Sequence, residues 1–255
     1  MNSGPHTPAD DILISIIIAT FNAGKHLQAC LESIQSQAFK AYEILVIDGG
    51  STDNTTGILK SINDPRLSWT SGPDAGIYDA MNKGAQLAKG KWYYFMGADD
   101  RLLPGFSELA ARLEDENAVY YGDSEPYYGD SGTAPELLIG AFSKYRLAKH
   151  CMNHQVIIYP ASAFRLYQYD LRYRIFADYA MNIKVWGNDA FKKIYYPITI
   201  VRYDMTGFSA GANDIPFKQD KLQLIREHMG WWMYLKMRFK NFKKKLQGEK
   251  DYWEV

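Results

Sequence analysis

The run Lys91-Trp92-Tyr93-Tyr94-Phe95-Met96-Gly97-Ala98-Asp99-Asp100 leaves few folds open to this chain. Five bulky apolar residues in a row form a strand buried on both faces, of the kind found at the centre of a parallel sheet. The run stops abruptly at two small residues and two adjacent carboxylates. Neighbouring carboxylates at the end of a buried strand repel each other, so they call for a cation or hydrogen-bond donors beside them. A hard divalent ion shared with a substrate's phosphates meets that need. A solvated turn ahead of Arg101 and Pro104 is the alternative.

The preceding segments repeat the pattern. Ile12 to Ala19 is a nearly unbroken β-branched run ending in the polar turn Thr20-Phe21-Asn22-Ala23-Gly24, and Leu27, Cys30, Leu31 and Ile34 then share one helix face. A second strand, Tyr42 to Ile47, ends in Asp48-Gly49-Gly50-Ser51-Thr52-Asp53-Asn54, where the glycines let the backbone approach a ligand and Ser51 or Asp53 can cap a helix beginning near Thr55. A short strand at Leu67 to Thr70 leads to Gly72-Pro73-Asp74-Ala75-Gly76 and a helix from Ile77 to Leu87. Strand and helix alternate, which predicts an α/β fold with a parallel, doubly wound sheet. Ligands of such sheets lie beyond the carboxyl ends of the strands. Asp48, Asp74, Asp99 and Asp100 all fall there, so one surface collects four carboxylates from three loops. Neither GxGxxG nor GxxxxGK[ST] follows the first strand, which points to phosphates held through a metal rather than in a backbone nest.

Beyond Asp100 the spacing predicts a helix over Gly105 to Leu113, a strand over Ala118 to Tyr121 and a polar loop from Gly122 to Pro135. His150, Cys151, Asn153, His154 and Gln155 precede a strand at Val156 to Tyr159; Ala177-Asp178-Tyr179 opens a helix reaching Trp186, and Ile194 to Val201 is a further strand. Cys30 and Cys151 lack CxxC spacing, so neither a zinc knuckle nor a disulfide framework is expected, and a reducing compartment is the simpler reading. Residues 1–11 read as a flexible polar leader without signal-peptide features, and no run is long enough to span a bilayer.

Taken in order, Ile14-Ser15-Ile16-Ile17-Ile18-Ala19-Thr20-Phe21-Asn22, Ile47-Asp48-Gly49-Gly50-Ser51-Thr52-Asp53, Pro73-Asp74-Ala75-Gly76-Ile77-Tyr78-Asp79-Ala80-Met81-Asn82-Lys83-Gly84, Ala98-Asp99-Asp100, Asn153-His154-Gln155 and Ala177-Asp178-Tyr179 carry a resemblance. Over 12–210 the chain resembles the inverting family-two glycosyltransferases of GT-A fold, and more narrowly the bacterial O-antigen and colanic-acid type. The resemblance implies a Rossmann-like, mostly parallel central sheet flanked by helices. It implies that Asp48, with Thr20 and Asn22, binds the base of a UDP-sugar, and that Ser51, Asp74, Tyr78, Asn82, Lys83 and Asp99 complete the nucleotide-sugar site. Asp100, with Asp99, would ligate Mn2+ or Mg2+ on the diphosphate, and Asp178 would be the catalytic base. His154 would be an acceptor contact, a metal ligand or a structural histidine. Two departures stand out: Gly97-Ala98 replace the commoner Asn-Ser pair, and Ala177 replaces the usual Glu before the catalytic Asp. Inverting displacement of a nucleoside diphosphate needs these parts, since a cation stabilises the leaving charge and a carboxylate on the opposite face takes the acceptor's proton.

Formal net charge is zero, yet nine Lys or Arg against two Glu fall between Lys221 and Lys250. There Trp231, Leu235, Phe239, Phe242 and Leu246 share one helix face, with Lys236, Lys240, Lys243 and Lys244 largely away from it. Residues 211–255 therefore read as a basic amphipathic tail for an anionic membrane surface. A helix packed on the catalytic domain, or an oligomer contact, is the alternative; nucleic acid is disfavoured by the negative remainder of the chain. The combined expectation is a peripheral enzyme on the cytoplasmic face of the membrane, transferring glucose, galactose or an N-acetylated hexosamine to a polyprenyl-diphosphate-linked saccharide. A nucleotidyltransferase and a non-catalytic sugar-nucleotide or lipid binding module are the rival readings.

Overall fold

The computed structural model describes residues 12–129, 140–204 and 213–248. The leader, part of the Gly122 to Pro135 loop and the boundary at 210/211 lie outside the described residues.

The first half is a parallel sheet whose connections are helices. Strand β1 (Ile14–Thr20), helix α1 (Leu27–Gln35), β2 (Tyr42–Asp48), α2 (Thr55–Ser61), β3 (Leu67–Ser71), α3 (Ile77–Leu87) and β4 (Trp92–Gly97) follow one another as the alternation predicts. Strands β1 and β2 are buried along their whole length, because helices cover both faces. Strand β3 is half exposed at the sheet edge. Helix α1 buries the four residues its periodicity selects, Leu27, Cys30, Leu31 and Ile34. Helix α3 lies close on β1 because it carries Gly84: a methyl group there would sit 2.4 Å from Ile17 Cγ2.

The second half departs from a uniformly parallel sheet. After β5 (Arg101–Leu102) and α4 (Gly105–Ala110) come β6 (Ala118–Tyr127), α5 (Lys144–Lys149), a 3-10 turn at His154–Val156, β7 (Ile157–Pro160), α6 (Ala161–Leu166), α7 (Ala177–Gly187) and β8 (Lys192–Asp204). The eight strands lie in the order β3-β2-β1-β4-β7-β6-β8-β5. Strand β7 is antiparallel to both β4 and β6, whereas β6 and β8 pair in parallel with a bulge near Asp123. The reversal has a consequence for the site. Strand β7 starts at the edge where β4, β6 and β8 finish, so the turn leading into it joins the loops at their carboxyl ends. Strands β6 and β8 run several residues longer than their apolar cores imply, bringing Ser124 and Asp204 to the same edge.

The segment read as a tail contains two helices, α8 (Ile215–Met229) and α9 (Trp231–Leu246), broken at Gly230 with φ 91°. Helix α8 packs on α7. Phe217 is fully buried against the rings of Tyr173, Phe176 and Tyr179 at 5.6, 5.4 and 5.1 Å. Asp214 caps α8 through Phe217 N–H and its other oxygen accepts from the N–H groups of Ile175 and Phe176, at 2.8 and 3.1 Å, ahead of α7. Helix α9 is different: of its residues only Met237 is buried. Trp231, Trp232, Leu235, Phe239, Phe242 and Leu246 are all exposed, Trp232 by 84%.

Candidate active site

Asp48 ends β2 as an acceptor surrounded by donors. Ser51 N–H (3.0 Å) and Ser71 Oγ (2.6 Å) reach Oδ2, while Thr20 Oγ1 (3.3 Å) and Ser51 Oγ reach Oδ1. Burial pushes the carboxyl up, but the hydrogen bonds from Ser51, Ser71 and Thr20 outweigh it and hold the group below its ordinary value, hence ionised. Asn22, in the left-handed region at φ 50°, ties the first loop to the second: its N–H donates to Ser51 Oγ and its Oδ1 accepts from Thr52 N–H. Asp53 rather than Ser51 binds the first amide of α2, accepting from Thr55 N–H at 2.9 Å. Asp74 accepts from Gly76 N–H and lies so close to Gly49 that a methyl group there would stand 2.6 Å from Oδ2. The loops after β1, β2 and β3 thus form one hydrogen-bonded rim.

Asp100 is buried at the end of β4. Its Oδ2 accepts from Gly97 N–H (2.7 Å) and Gln155 Nε2 (3.2 Å), and its Oδ1 from Asp204 N–H (3.3 Å). Burial, followed by the charge of Asp99, pushes the Asp100 carboxyl up to about 6. A buried carboxylate beside a second one favours a bound cation. Gly97 makes the pair possible, because a side chain there would meet Asp99 Oδ1 at 2.4 Å. Among the described residues no group of three His, Cys, Asp or Glu converges on one point. A hard ion needs only one or two protein carboxylates when a substrate's phosphates and water complete its shell, the usual habit of Mg2+. Asp99 and Asp100 fit such an ion.

Asp178 lies in the first turn of α7, where Phe176, not Asp178, is the N-cap. Its Oδ1 accepts from Tyr179 N–H (2.7 Å) and lies 3.0 Å from Tyr78 Oη, and its Oδ2 lies 3.0 Å from His154 Nδ1. Asp178 and His154 are both largely buried.

The structure divides the residues nominated from sequence. Thr20, Asn22, Asp48, Ser51 and Asp74 gather on the rim; Asp99 and Asp100 sit at the next strand end; Tyr78, His154 and Asp178 meet beside them. Tyr78 is buried, its hydroxyl directed at Ile175 O and Asp178, where burial pushes it well up. Asn82 faces the protein, exchanging hydrogen bonds with Tyr169 N–H and C=O at 3.0 and 2.9 Å. Lys83 pairs with Asp79 (2.9 Å) and donates to Pro73 O. Sequence reasoning missed Ser71, Gln155 and Asp204, which hold Asp48 and Asp100. Only Gln155 carried a signal, through its place beside His154.

The family model described as Glycosyl transferase family 2 matches residues 15–176. The PGL/p-HBAD biosynthesis glycosyltransferases of Mycobacterium bovis and Mycobacterium tuberculosis are 38% identical over 206 residues, covering 76% of this chain and 78% of theirs. The chondroitin synthase of Pasteurella multocida is 28% identical over 189 residues, covering 71% of this chain and 20% of that one. Among solved structures, S. aureus TarS 1-349 in complex with UDP superposes with TM-score 0.69 at 17% identity, over 85% of this chain and 65% of that one. The mannosyltransferase PcManGT from Pyrobaculum calidifontis, in complex with GDP-Man and Mn2+, gives TM-score 0.58 at 14% identity, over 84% of this chain and 62% of that one. At those identities the structural likeness is one of fold, and the fold is GT-A.

Proposed function

The chain belongs to glycosyltransferase family 2, and from that premise we propose that it moves one hexose or N-acetylhexosamine, with inversion, from a UDP-sugar to a lipid-linked saccharide. The family assignment displaces the nucleotidyltransferase and binding-module readings. The observation that carries the proposal is the meeting, along one sheet edge, of an ionised acceptor (Asp48), a buried carboxylate with a half-buried neighbour (Asp100 and Asp99) and a third carboxylate held by oriented donors (Asp178). Asp48 can only accept, so it would take an N–H of the base, such as uracil N3–H; guanine N1–H and the exocyclic amino groups of cytosine and adenine meet the same requirement. The UDP bound by TarS is in keeping with uracil.

Asp99 and Asp100 would hold Mn2+ or Mg2+; such an ion, when bound, supplies positive charge to the departing diphosphate. The chain's own residues do the rest. The rim from Thr20 to Gly76 orients the nucleotide, and Asp178 takes the proton of the attacking acceptor hydroxyl. The new bond forms at the anomeric carbon as the bond to the diphosphate oxygen breaks, the pair leaving on UDP. Asp178→Asn is expected to lower turnover by on the order of a hundredfold or more with UDP affinity unchanged. Turnover at the wild-type rate in a UDP-release assay with short-chain lipid-diphosphate acceptors would remove Asp178 from this role.

The acceptor and the cellular location rest on α9. At about 100° per residue its six exposed apolar side chains project within an arc of about 100°. The side packed on the body, marked by Met237 and Met233, lies roughly opposite. Six Lys or Arg and no carboxylate accompany them between Trp231 and Leu246. Such a helix suits the cytoplasmic-face interface of an anionic bilayer, where each basic residue contributes about 1 kcal/mol. No helix among the described residues is long and apolar enough to cross a membrane. Flotation with phosphatidylglycerol vesicles is expected for the full chain and lost on Trp232→Glu with Phe239→Glu. Equal flotation of that variant would refute the surface assignment.

A further inference from the structure

The Asn153-His154-Gln155 turn touches both of the carboxylates that the proposed reaction depends on. Gln155 Nε2 donates to Asp100 Oδ2 at 3.2 Å, and His154 Nδ1 lies 3.0 Å from Asp178 Oδ2. The turn is itself fixed to three elements. Asn182 of α7 donates to Met152 O (3.1 Å), Tyr94 of β4 donates to Gln155 O (2.6 Å), and Asn153 Nδ2 donates to Ser124 Oγ of β6 (3.4 Å). An ionised Asp178 has no hydrogen to give, so the contact requires the hydrogen to sit on His154 Nδ1. Among the described residues the other ring nitrogen, Nε2, is enclosed and has no hydrogen-bond partner. The contact with Asp178 is therefore the polar contact that orients the ring. On the far side of the carboxylate, Oδ1 is held by Tyr179 N–H and faces Tyr78 Oη, so His154 supplies the donor that fixes the remaining oxygen.

We propose that His154 is a positioning residue for the proton-accepting carboxylate: its Nδ1–H sets the direction of Asp178 Oδ2, and the turn that carries it keeps Asp178 in register with Asp100. The inference rests on Asp178 acting as the base. His154 takes no part in bond making; the proton of the acceptor hydroxyl goes to Asp178, and the imidazole holds the carboxylate at the angle the attack requires. Misplacing a reacting group by about an ångström costs roughly a hundredfold in rate, which sets the scale of the effect.

The test uses the full chain and four variants. His154→Phe keeps the ring and removes both nitrogens, whereas His154→Asn keeps a donor near the place of Nδ1. His154→Phe is expected to lower kcat by roughly 10-fold to 100-fold with donor KM and calorimetric UDP affinity in Mn2+ unchanged. His154→Asn should recover most of the loss. In the double variant with Asp178→Asn, the histidine change should cost nothing further, because it acts through the group already removed. Four results would overturn the proposal: His154→Phe at the wild-type rate, His154→Asn no better than His154→Phe, a fully additive double variant, or Mn2+-dependent UDP binding lost with the imidazole. If Asp178→Asn alone retains turnover, it is the assignment of the base that has failed, a different and separable outcome.

Discussion

Replacing Asp100 by asparagine should make the ligand-free protein more stable while removing the metal-dependent nucleotide binding proposed for it. Burial and Asp99 raise the Asp100 carboxyl from 3.8 to about 6. An upward shift of about two units corresponds to about 3 kcal/mol of penalty on the ionised form. Because the folded state binds this proton more tightly than the unfolded chain, stability falls as pH rises from about 4 to about 6, and the whole penalty applies above that window. The amide relieves it but has only one oxygen. If that oxygen keeps the bonds from Gly97 N–H and Gln155 Nε2, the Asp204 N–H at 3.3 Å loses its acceptor, at a cost of about 1–2 kcal/mol. The net gain of about 1–2 kcal/mol should raise Tm by about 5 °C at pH 8 in a chelator. At pH 5, where the wild-type carboxyl is already protonated in the folded state, the difference should nearly vanish. Melting curves at the two pH values and UDP calorimetry with Mn2+ check both halves. A variant that melts at or below wild type at pH 8, a difference independent of pH, or undiminished UDP binding would refute the reasoning.

Two further perturbations probe the scaffold. Gly84→Ala drives a methyl group to 2.4 Å from Ile17 Cγ2, so α3 must lift from β1; about 1–3 kcal/mol should be lost in urea unfolding, with a parallel fall in turnover as Tyr78 moves. Asp214→Ala strips the acceptor from the N–H groups of Phe217, Ile175 and Phe176 and should cost about 2–3 kcal/mol by the same measurement, together with faster amide exchange at the start of α7.

How much of the site could be read before the structure depended on the range of the signal. The strand-end carboxylates Asp48, Asp74, Asp99 and Asp100 were legible because a buried strand, the turn that ends it and the helix that follows are all written in contiguous residues. Helix α3 fell at Ile77–Leu87 as its period requires. Tyr78 and Asn82 sit in the same legible motif, but their side chains face Asp178 and Tyr169, partners that helix periodicity does not identify. Strand β7 gave its apolar run but not its direction, since an apolar run reads the same whichever way its neighbour points.

The sequence alone determined the alternating α/β layout, the loops where acidic residues end strands, and the amphipathic character of Trp231–Leu246, all properties of local period and turn chemistry. Only the tertiary structure decided that His154 meets Asp178, that the Asp204 amide closes on Asp100, that α8 packs into the body, and that the aromatic stripe of α9 stays uncovered. These contacts join residues brought together by the order of strands and the seams between helices. Packing fixes those through the volume and direction of many side chains at once, and no window of neighbouring residues contains that information.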